Sequence, residues 1–385
     1  MTSFTSQYRP NQPLAGSDRL AKVSLAVPNL GGGGAEQFTV YLANGLAARG
    51  CHVELVAVEA QGPCLVSLSP QVRVVSLNSR RVLRSILPLA RYLRRSRPDV
   101  LISSLEHMNL GTLMARRLAG VSTRVIPVVH TTLSQAMAQT TDVRDRIING
   151  MLRKIYPWSA AIVVVSRDAA DDFLRITRAP AELVRVIYPI LTPGIAELAK
   201  LPLDNPWFAP GQPRVVLAVG RLTPQKDFAA LIRAFAVVRR QQDLRLLILG
   251  EGETRGQLEA LVKELGLTDV VSMPGRAKNV FAYMSRCALF VLSSTYEAMP
   301  MVLVEALASG APVVATNCLS GPREILHDGK FGRLVPVGSV PDLARAIQAS
   351  LSEPRRPPPD EALRPFARDT VIDQYMELIA HVSRE

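Results

Sequence analysis

Glu297 and Glu305 stand eight positions apart in the segment STYEAMPMVLVEALASGAPVVAT. A helix beginning near Met299 or Pro300, proline being favoured at a first helical position, puts Glu297 just before its start and Glu305 inside it. Two carboxylates so spaced can face one ligand, one above the helix end and one two turns along. The N–H groups of such a helix start can meet an anion. The plainer alternative is an acid that stabilises the helix dipole plus a surface glutamate. Upstream, in AVGRLTPQKDFAALIRAFA, a strand ends at Gly220 and the following loop carries Arg221 and Lys226. A guanidinium grips phosphate through two parallel hydrogen bonds, and an ammonium adds a compact charge; the alternative is a pair of solvated surface cations. A third segment, PNLGGGGAEQF, sets Gly31 to Gly34 between a strand and a helix. Glycine there permits a tight turn and close backbone approach to an anion. A dinucleotide fingerprint fits Gly31 and Gly33 but meets Glu36 where its third glycine belongs, which weakens a nicotinamide reading.

These residues need strand ends to hold them. The Val- and Ile-rich runs AKVSLAVPNL, HVELVAVE, VRVVSL, DVLISSL, RVIPVVH, AIVVVS and VRVIY alternate with helical stretches such as AEQFTVYLANGLAARG and LGTLMARRLAG. That alternation predicts an α/β parallel sheet covered on both faces. A proline-dense connector runs from Leu191 to Pro213, and the pattern then restarts with RVVLAVGRL, LRLLILG, VVSMPG, CALFVLSS, APVVAT and RLVPVG. The last stretch, ARDTVIDQYMELIAHVSR, is amphipathic, with Val371, Tyr375, Leu378 and Ile379 as its apolar stripe. The expected organisation is a disordered tail over residues 1–18, a Rossmann-like domain over 19–195, a linker over 196–213, a second Rossmann-like domain over 214–365 and a terminal helix over 366–385. Two such domains leave a cleft at the carboxyl ends of their strands, where open α/β sheets bind ligands.

Composition narrows the field. With 385 residues, 48% hydrophobic and 20% charged, the chain has ample core material and is not a disordered polymer. No apolar run approaches the ~18 residues of a membrane span. The polar start MTSFTSQYRPNQPLAGSDR lacks the apolar stretch of a signal peptide, so a cytoplasmic protein is expected. Cys51, Cys64, Cys287 and Cys318 have no metal-ligand spacing, and the five histidines form no cluster, so no metal site is expected. Of the net charge of +12, nearly all lies in the first half, where residues 1–200 hold 24 Lys and Arg against 13 Asp and Glu. Its densest part, from Arg80 to Arg97, has seven arginines and no acid, with Leu83, Ile86, Leu87, Ala90 and Leu93 at helical spacing. This reads as a basic amphipathic helix with Pro88 as a potential kink. It is either a solvated face or a surface for a polyanion. Aromatics are only 5% and no nucleic-acid motif is present, so an anionic membrane is preferred over nucleic acid.

The segments GRLTPQKDFAALIRAFA, LGEGETRGQLEALVKELGL, VSMPGR and STYEAMPMVLVEALASGAPVVATNCLSGPREIL, with GGGGAEQF and VVVSRDAADDF before them, resemble glycosyltransferase family 4, whose members are retaining enzymes of the GT-B fold. The resemblance spans roughly residues 20 to 380, and it is most specific in the second half. It implies that Arg221 and Lys226, at the strand end Gly220, neutralise a donor diphosphate. It implies that Glu305 takes the ribose hydroxyls, and that Glu297 with the backbone of Ala298, Met299, Pro300 and Met301 holds the transferred sugar and diphosphate. Gly32 and Gly33 would let their loop close over the phosphates, Arg276 would lie beside the nucleobase, and His130 would point at the sugar near its reacting carbon. The family's Glu-Gly-Phe-Pro is Glu297-Ala298-Met299-Pro300 here, and its Tyr-Asn-Pro is Tyr188-Pro189. The terminal helix is expected to pack back on the first domain.

The implied activity is transfer of a hexose-type sugar from a nucleotide diphosphate, with UDP the expected carrier, to an acceptor hydroxyl, without a metal or other cofactor. The basic first half motivates a lipid-linked glycan acceptor at the cytoplasmic face of a membrane. Two other readings stay open. A GT-B epimerase would release UDP from a UDP-sugar with water and no acceptor. A silent GT-B-like binding protein would often have lost one of Arg221, Lys226, Glu297 and Glu305, and all four are present.

Overall fold

The computed structural model describes residues 21–138, 150–355 and 360–384; the tail expected over residues 1–18 lies outside them. The chain builds two wholly parallel sheets. The first has seven strands, β1 (Lys22–Val27), β2 (His52–Ala57), β3 (Arg73–Ser76), β4 (Val100–Ser104), β5 (Arg124–Val129), β6 (Ile162–Val164) and β7 (Val184–Val186), in the order β3-β2-β1-β4-β5-β6-β7. The second has six, β8 (Arg214–Val219), β9 (Leu244–Leu249), β10 (Val271–Gly275), β11 (Leu289–Leu292), β12 (Val313–Thr316) and β13 (Arg333–Val335), in the order β10-β9-β8-β11-β12-β13. Central strands such as β1, β4, β8 and β11 are buried almost throughout. Parallel strands hidden on both faces read as continuous apolar runs, which is why these segments stand out in the sequence. Strand order reverses between β1 and β4 in one sheet and between β8 and β11 in the other. Loops leaving those four strands therefore diverge and open a crevice at each switch point.

The terminal helix Arg368–Arg384 does not stay with the second domain. Val371, Ile372, Tyr375, Leu378, Ile379 and Val382 are buried, and the Tyr375 ring lies 6.1 Å from Phe38 of the helix Gly34–Ala48. The two helices cross at Gly45, where an added Cβ would come within 2.2 Å of the Ile372 Cδ1. Arg49, just past the first helix, pairs with Asp369 and Asp373 of the second. The connector after β7 is more structured than its prolines suggest. It contains the helix Ile195–Lys200, whose Ala199 carbonyl accepts from Ser285 Oγ at 2.9 Å and from the Arg286 guanidinium at 3.0 Å.

The arginine-rich segment forms the helix Val82–Ser96, which runs through Pro88. Its buried face is Ser85, Leu89, Ala90 and Leu93, not the full stripe expected. Leu83 and Leu87 each keep 57% of their surface in solvent and share the outer face with exposed Arg84 and Arg91. The i, i+4 rows of a helix carry these residues together, and packing against the helix Glu106–Ala119 takes the other side.

Candidate active site

The loop after β8 and the loop after β11 are stitched into one unit. Thr295 donates to the Gln225 carbonyl through its N–H at 2.8 Å and its hydroxyl at 3.1 Å. Ser293 Oγ donates to the Lys226 carbonyl at 2.7 Å. Asp227 follows in the left-handed region at φ 42° and caps the helix Phe228–Arg239 through the Ala230 N–H. A non-glycine residue held there carries backbone strain, which the surrounding bonds must hold in place.

This unit presents the ion pair on which the site is built. Lys226 Nζ lies 2.5 Å from Glu297 Oε1, with side-chain exposures of 13% and 9%. Ser294 Oγ donates to the same oxygen at 2.7 Å, and Gln225 Nε2 reaches Oε2 at 3.5 Å. Gly220 lies directly beneath the lysine stem: an added Cβ would sit 3.3–3.4 Å from its Cε, Cδ and Cγ. A carboxylate and an ammonium so withdrawn from water interact far more strongly than surface charges. Arg221 is exposed, as is Arg276 at the end of β10. Hydrogen bonds from Arg255 hold the Glu251 carboxyl below its usual range, with the Arg276 charge adding to the effect.

Ala298, Met299 and Pro300 lead into the helix Met301–Ala308, with Pro300 at its N-cap and Met301 as its first residue. The helix thus starts one to two residues later than its sequence suggests. Gly321, at φ +89°, backs this loop so closely that a Cβ would fall 2.4 Å from Pro300 Cδ. Glu305, one turn into the helix, accepts from Thr192 Oγ1 at 2.6 Å. Burial pushes its carboxyl up to about 7, against the opposing effect of that hydrogen bond. Tyr41, on the helix Gly34–Ala48, also lies beside Thr192 and Glu305.

The first domain meets this unit from the other side. His130 follows β5, its ring edge-on to Phe38 at 5.2 Å. Burial lowers it to about 4, so the imidazole is neutral, and its buried Nε2 has no hydrogen-bond partner among the described residues. Two residues on, Thr132 Oγ1 donates to the Glu297 carbonyl at 2.9 Å, tying the first domain to the loop of the second. Gly32 turns at φ +91° and Gly33 is the N-cap of the helix Gly34–Ala48. Both lie in an exposed or half-exposed loop after β1, and the Glu36 carboxylate folds back over Gly33.

The structure therefore brings Gly220, Lys226 and Glu297 into contact, sets the loop Ala298–Met301 beside them, and holds His130 next to a residue that bonds Glu297. Arg221 and Arg276 are exposed where β8 and β10 end, and Gly32 and Gly33 lie in the loop after β1. Sequence reasoning missed Gln225, Ser294, Thr132, Thr192 and Tyr41. Gln225 and Ser294 lie close to Lys226 and Glu297 in sequence, so proximity was a usable signal. Thr132 and Thr192 act across 165 and 113 residues, where no local pattern speaks.

Comparison with known proteins agrees with this architecture. The model of the family described as Glycosyltransferase Family 4 matches residues 32–192, and that described as Glycosyl transferases group 1 matches residues 202–369. The lipopolysaccharide core biosynthesis glycosyltransferase LpsE of Rhizobium meliloti is 28% identical over 372 residues, 90% of this chain and 96% of that protein. The N-acetylgalactosamine-N,N'-diacetylbacillosaminyl-diphospho-undecaprenol 4-alpha-N-acetylgalactosaminyltransferase of Campylobacter jejuni is 30% identical over 249 residues, 65% of this chain and 66% of its own length. Among solved structures, Anabaena HepE in complex with UDP and glucose superposes with a TM-score of 0.75 at 20% identity, over 94% of this chain and 100% of that one. At that identity the likeness speaks for the fold, which is GT-B. With both halves matched and the two Rossmann-like sheets in place, the chain belongs to glycosyltransferase family 4.

Proposed function

We propose that this chain is a retaining glycosyltransferase that moves a hexose from a nucleotide diphosphate sugar, with UDP as carrier, to a hydroxyl of a lipid-linked glycan. The observation that carries the reading is the buried Lys226–Glu297 pair at the β8/β11 switch point, tied to the first domain by Thr132, two residues after His130. The relatives support it in kind: one acts in lipopolysaccharide core biosynthesis and another on a diphospho-undecaprenol-linked sugar, by their names.

The reaction follows from charge. The C1–O bond to the diphosphate breaks, leaving negative charge on the diphosphate and positive charge on the sugar. Fixed cations aimed at the diphosphate stabilise that state more than the ground state. Lys226 and Arg221 are assigned this role, with the N–H groups at the start of the helix Met301–Ala308, and no metal is required. The acceptor oxygen bonds C1 on the face the diphosphate leaves, and its proton passes to a phosphate oxygen. Glu297 then orients the sugar and does not attack it. His130, neutral and with a free ring nitrogen, is assigned a hydroxyl of that sugar; Glu305 is assigned the ribose and Arg276 the base. Gly32 and Gly33 are assigned to the loop that closes over the phosphates, and closure excludes water.

The test is thermal unfolding with a panel of nucleotides and nucleotide sugars, with and without added metal. A ligand that binds only the native state raises its stability by about 2.7 kcal/mol at a hundredfold excess over Kd. A metal-independent shift with UDP-sugars is expected. No shift with any nucleotide diphosphate would overturn the donor assignment. Release of UDP from the bound sugar without any acceptor would instead favour the epimerase.

The acceptor side is proposed to work at the cytoplasmic face of a membrane. No helix among the described residues is long and apolar enough to cross one, but the outer face of Val82–Ser96 combines exposed Leu83 and Leu87 with Arg84 and Arg91, and exposed Arg80 stands just before the helix. Each basic residue at an anionic surface adds about 1 kcal/mol, screened by salt. Sedimentation with phosphatidylserine vesicles is expected to pull the protein down at low salt, less so at high salt, and not at all with an R80E/R84E/R91E variant. Binding that ignores salt and charge reversal would rule this surface out.

A further inference from the structure

One carboxylate of the second domain is held entirely by donors of the first. Glu324 lies on the short helix Pro322–Ile325. Its Oε1 accepts from the N–H groups of Arg167 at 2.7 Å and Asp168 at 3.1 Å, the first two residues of the helix Arg167–Thr177. Its Oε2 accepts from the Tyr188 hydroxyl at 2.9 Å. The match is one of charge as well as shape, since a helix start offers unpaired N–H groups and the positive end of its dipole. Ser166 already caps the Ala169 N–H of that turn, so Glu324 satisfies donors that the first domain leaves over. Burial raises the Glu324 carboxyl, and its three hydrogen bonds oppose that rise.

What makes this contact more than a surface bridge is where Glu324 is anchored. The residue that opens its helix, Gly321, is packed under the sugar-holding loop, with a built Cβ 3.1 Å from Met299 Cα and 3.2 Å from the Ala298 carbonyl oxygen. The Glu297 N–H donates to the Leu319 carbonyl at 3.2 Å in the same stretch. A close-packed unit of this kind transmits displacement instead of absorbing it. On the opposite side of the loop, Thr132 fixes the Glu297 carbonyl. The first domain thus grips the loop from two directions.

We infer that Glu324 is a positioning residue whose carboxylate docks the start of the helix Arg167–Thr177 and Tyr188 onto the second domain, setting the acceptor side of the cleft against the loop Glu297–Met301. The inference rests on the transferase reading for its effect on rate, but not for its effect on domain pose. The variants are Glu324→Ala, Glu324→Gln and Tyr188→Phe. The measurements are the UDP-sugar thermal shift, steady-state transfer, and small-angle X-ray scattering of the full chain.

Glu324→Ala is expected to keep the donor shift while kcat falls by roughly a hundredfold, the size of loss that a misplacement of about 1 Å produces, and the radius of gyration should increase. Glu324→Gln keeps an oxygen for the helix start and is expected to restore most of kcat. Tyr188→Phe should fall between, and these two mild variants carry the test if the alanine form does not fold. Wild-type kcat in Glu324→Ala, or no difference between Glu324→Gln and Glu324→Ala, would overturn the inference. Scattering needs no activity: if the wild type binds no nucleotide sugar, the functional reading fails alone, and unchanged scattering in Glu324→Ala then overturns the clasp separately.

Discussion

Replacing Lys226 by methionine is expected to lower sugar transfer by about 10²–10³-fold, the loss seen when one preorganised charge-stabilising donor is removed. On the proposed role, the charge facing Lys226 develops as the sugar–phosphate bond breaks, so most of the fall should be in kcat. Methionine keeps an unbranched stem over Gly220, where the lysine carbons run, so the packing there is largely retained. What is lost is the ammonium 2.5 Å from Glu297. The remaining carboxylate then has only Ser294 and Gln225, and an orphaned buried charge of this kind costs about 3 kcal/mol of stability. A K226M/E297Q double variant is therefore expected to regain most of the thermal stability and none of the transfer. Initial rates and unfolding curves on the same preparations separate the two effects. Wild-type turnover in a folded K226M protein would remove Lys226 from the mechanism.

Glu305→Gln is expected to change how the protein responds to pH, because burial raises this carboxyl from 4.5 to about 7. A carboxyl whose native value is raised keeps more protons in the folded state than in the unfolded chain between those two values. Its stabilising contribution is complete below pH 4.5 and is lost as pH rises through about 7. The displacement amounts to on the order of 3 kcal/mol. The glutamine variant cannot ionise and keeps an oxygen for Thr192, so it should be the more stable protein at pH 8 and show a flatter stability profile between pH 5 and 8. Donor binding should respond in the opposite sense. Ribose hydroxyls bond an ionised carboxylate about twice as strongly as a neutral group. Wild-type affinity for a UDP-sugar should rise as pH passes 7, with proton release visible in calorimetry, whereas Glu305→Gln should bind more than tenfold more weakly and without that rise. A UDP-sugar is the right probe because UDP carries its own phosphate ionisation near pH 6. Identical pH profiles for the two proteins would dissociate Glu305 from the nucleotide.

The fold was legible because buried parallel strands leave contiguous signals: VVLAV of β8 is an unbroken apolar run and VSLAV of β1 is broken only by Ser24, and both end where loops begin. The GT-B architecture and family membership read from the sequence are borne out by the two sheets and the matched relatives. The apolar pattern also misled, since Leu83 and Leu87 follow a helical stripe yet face solvent. Periodicity identifies a helix face but cannot say how wide its partner is, and here Leu89, Ala90 and Leu93 suffice. At the site, the residue types at strand ends were readable, since their spacing is local. Thr192, Thr132 and Glu324 were not, because each acquires its partner only when two domains approach. No window of sequence contains such a pair.

The terminal helix gives the molecule an assembly order opposed to its synthesis order. Arg49 and Asp373 are separated by 324 residues, and the whole second domain lies between them. At ribosomal speeds of about 5–20 residues per second, the first domain has left the tunnel for tens of seconds before its last helix exists. Through that interval the bare backbone of Gly45 and the Phe38 side of its helix stay uncovered. A chain cut before Arg368 is therefore expected to expose this apolar face, which Ile372 and Tyr375 otherwise cover.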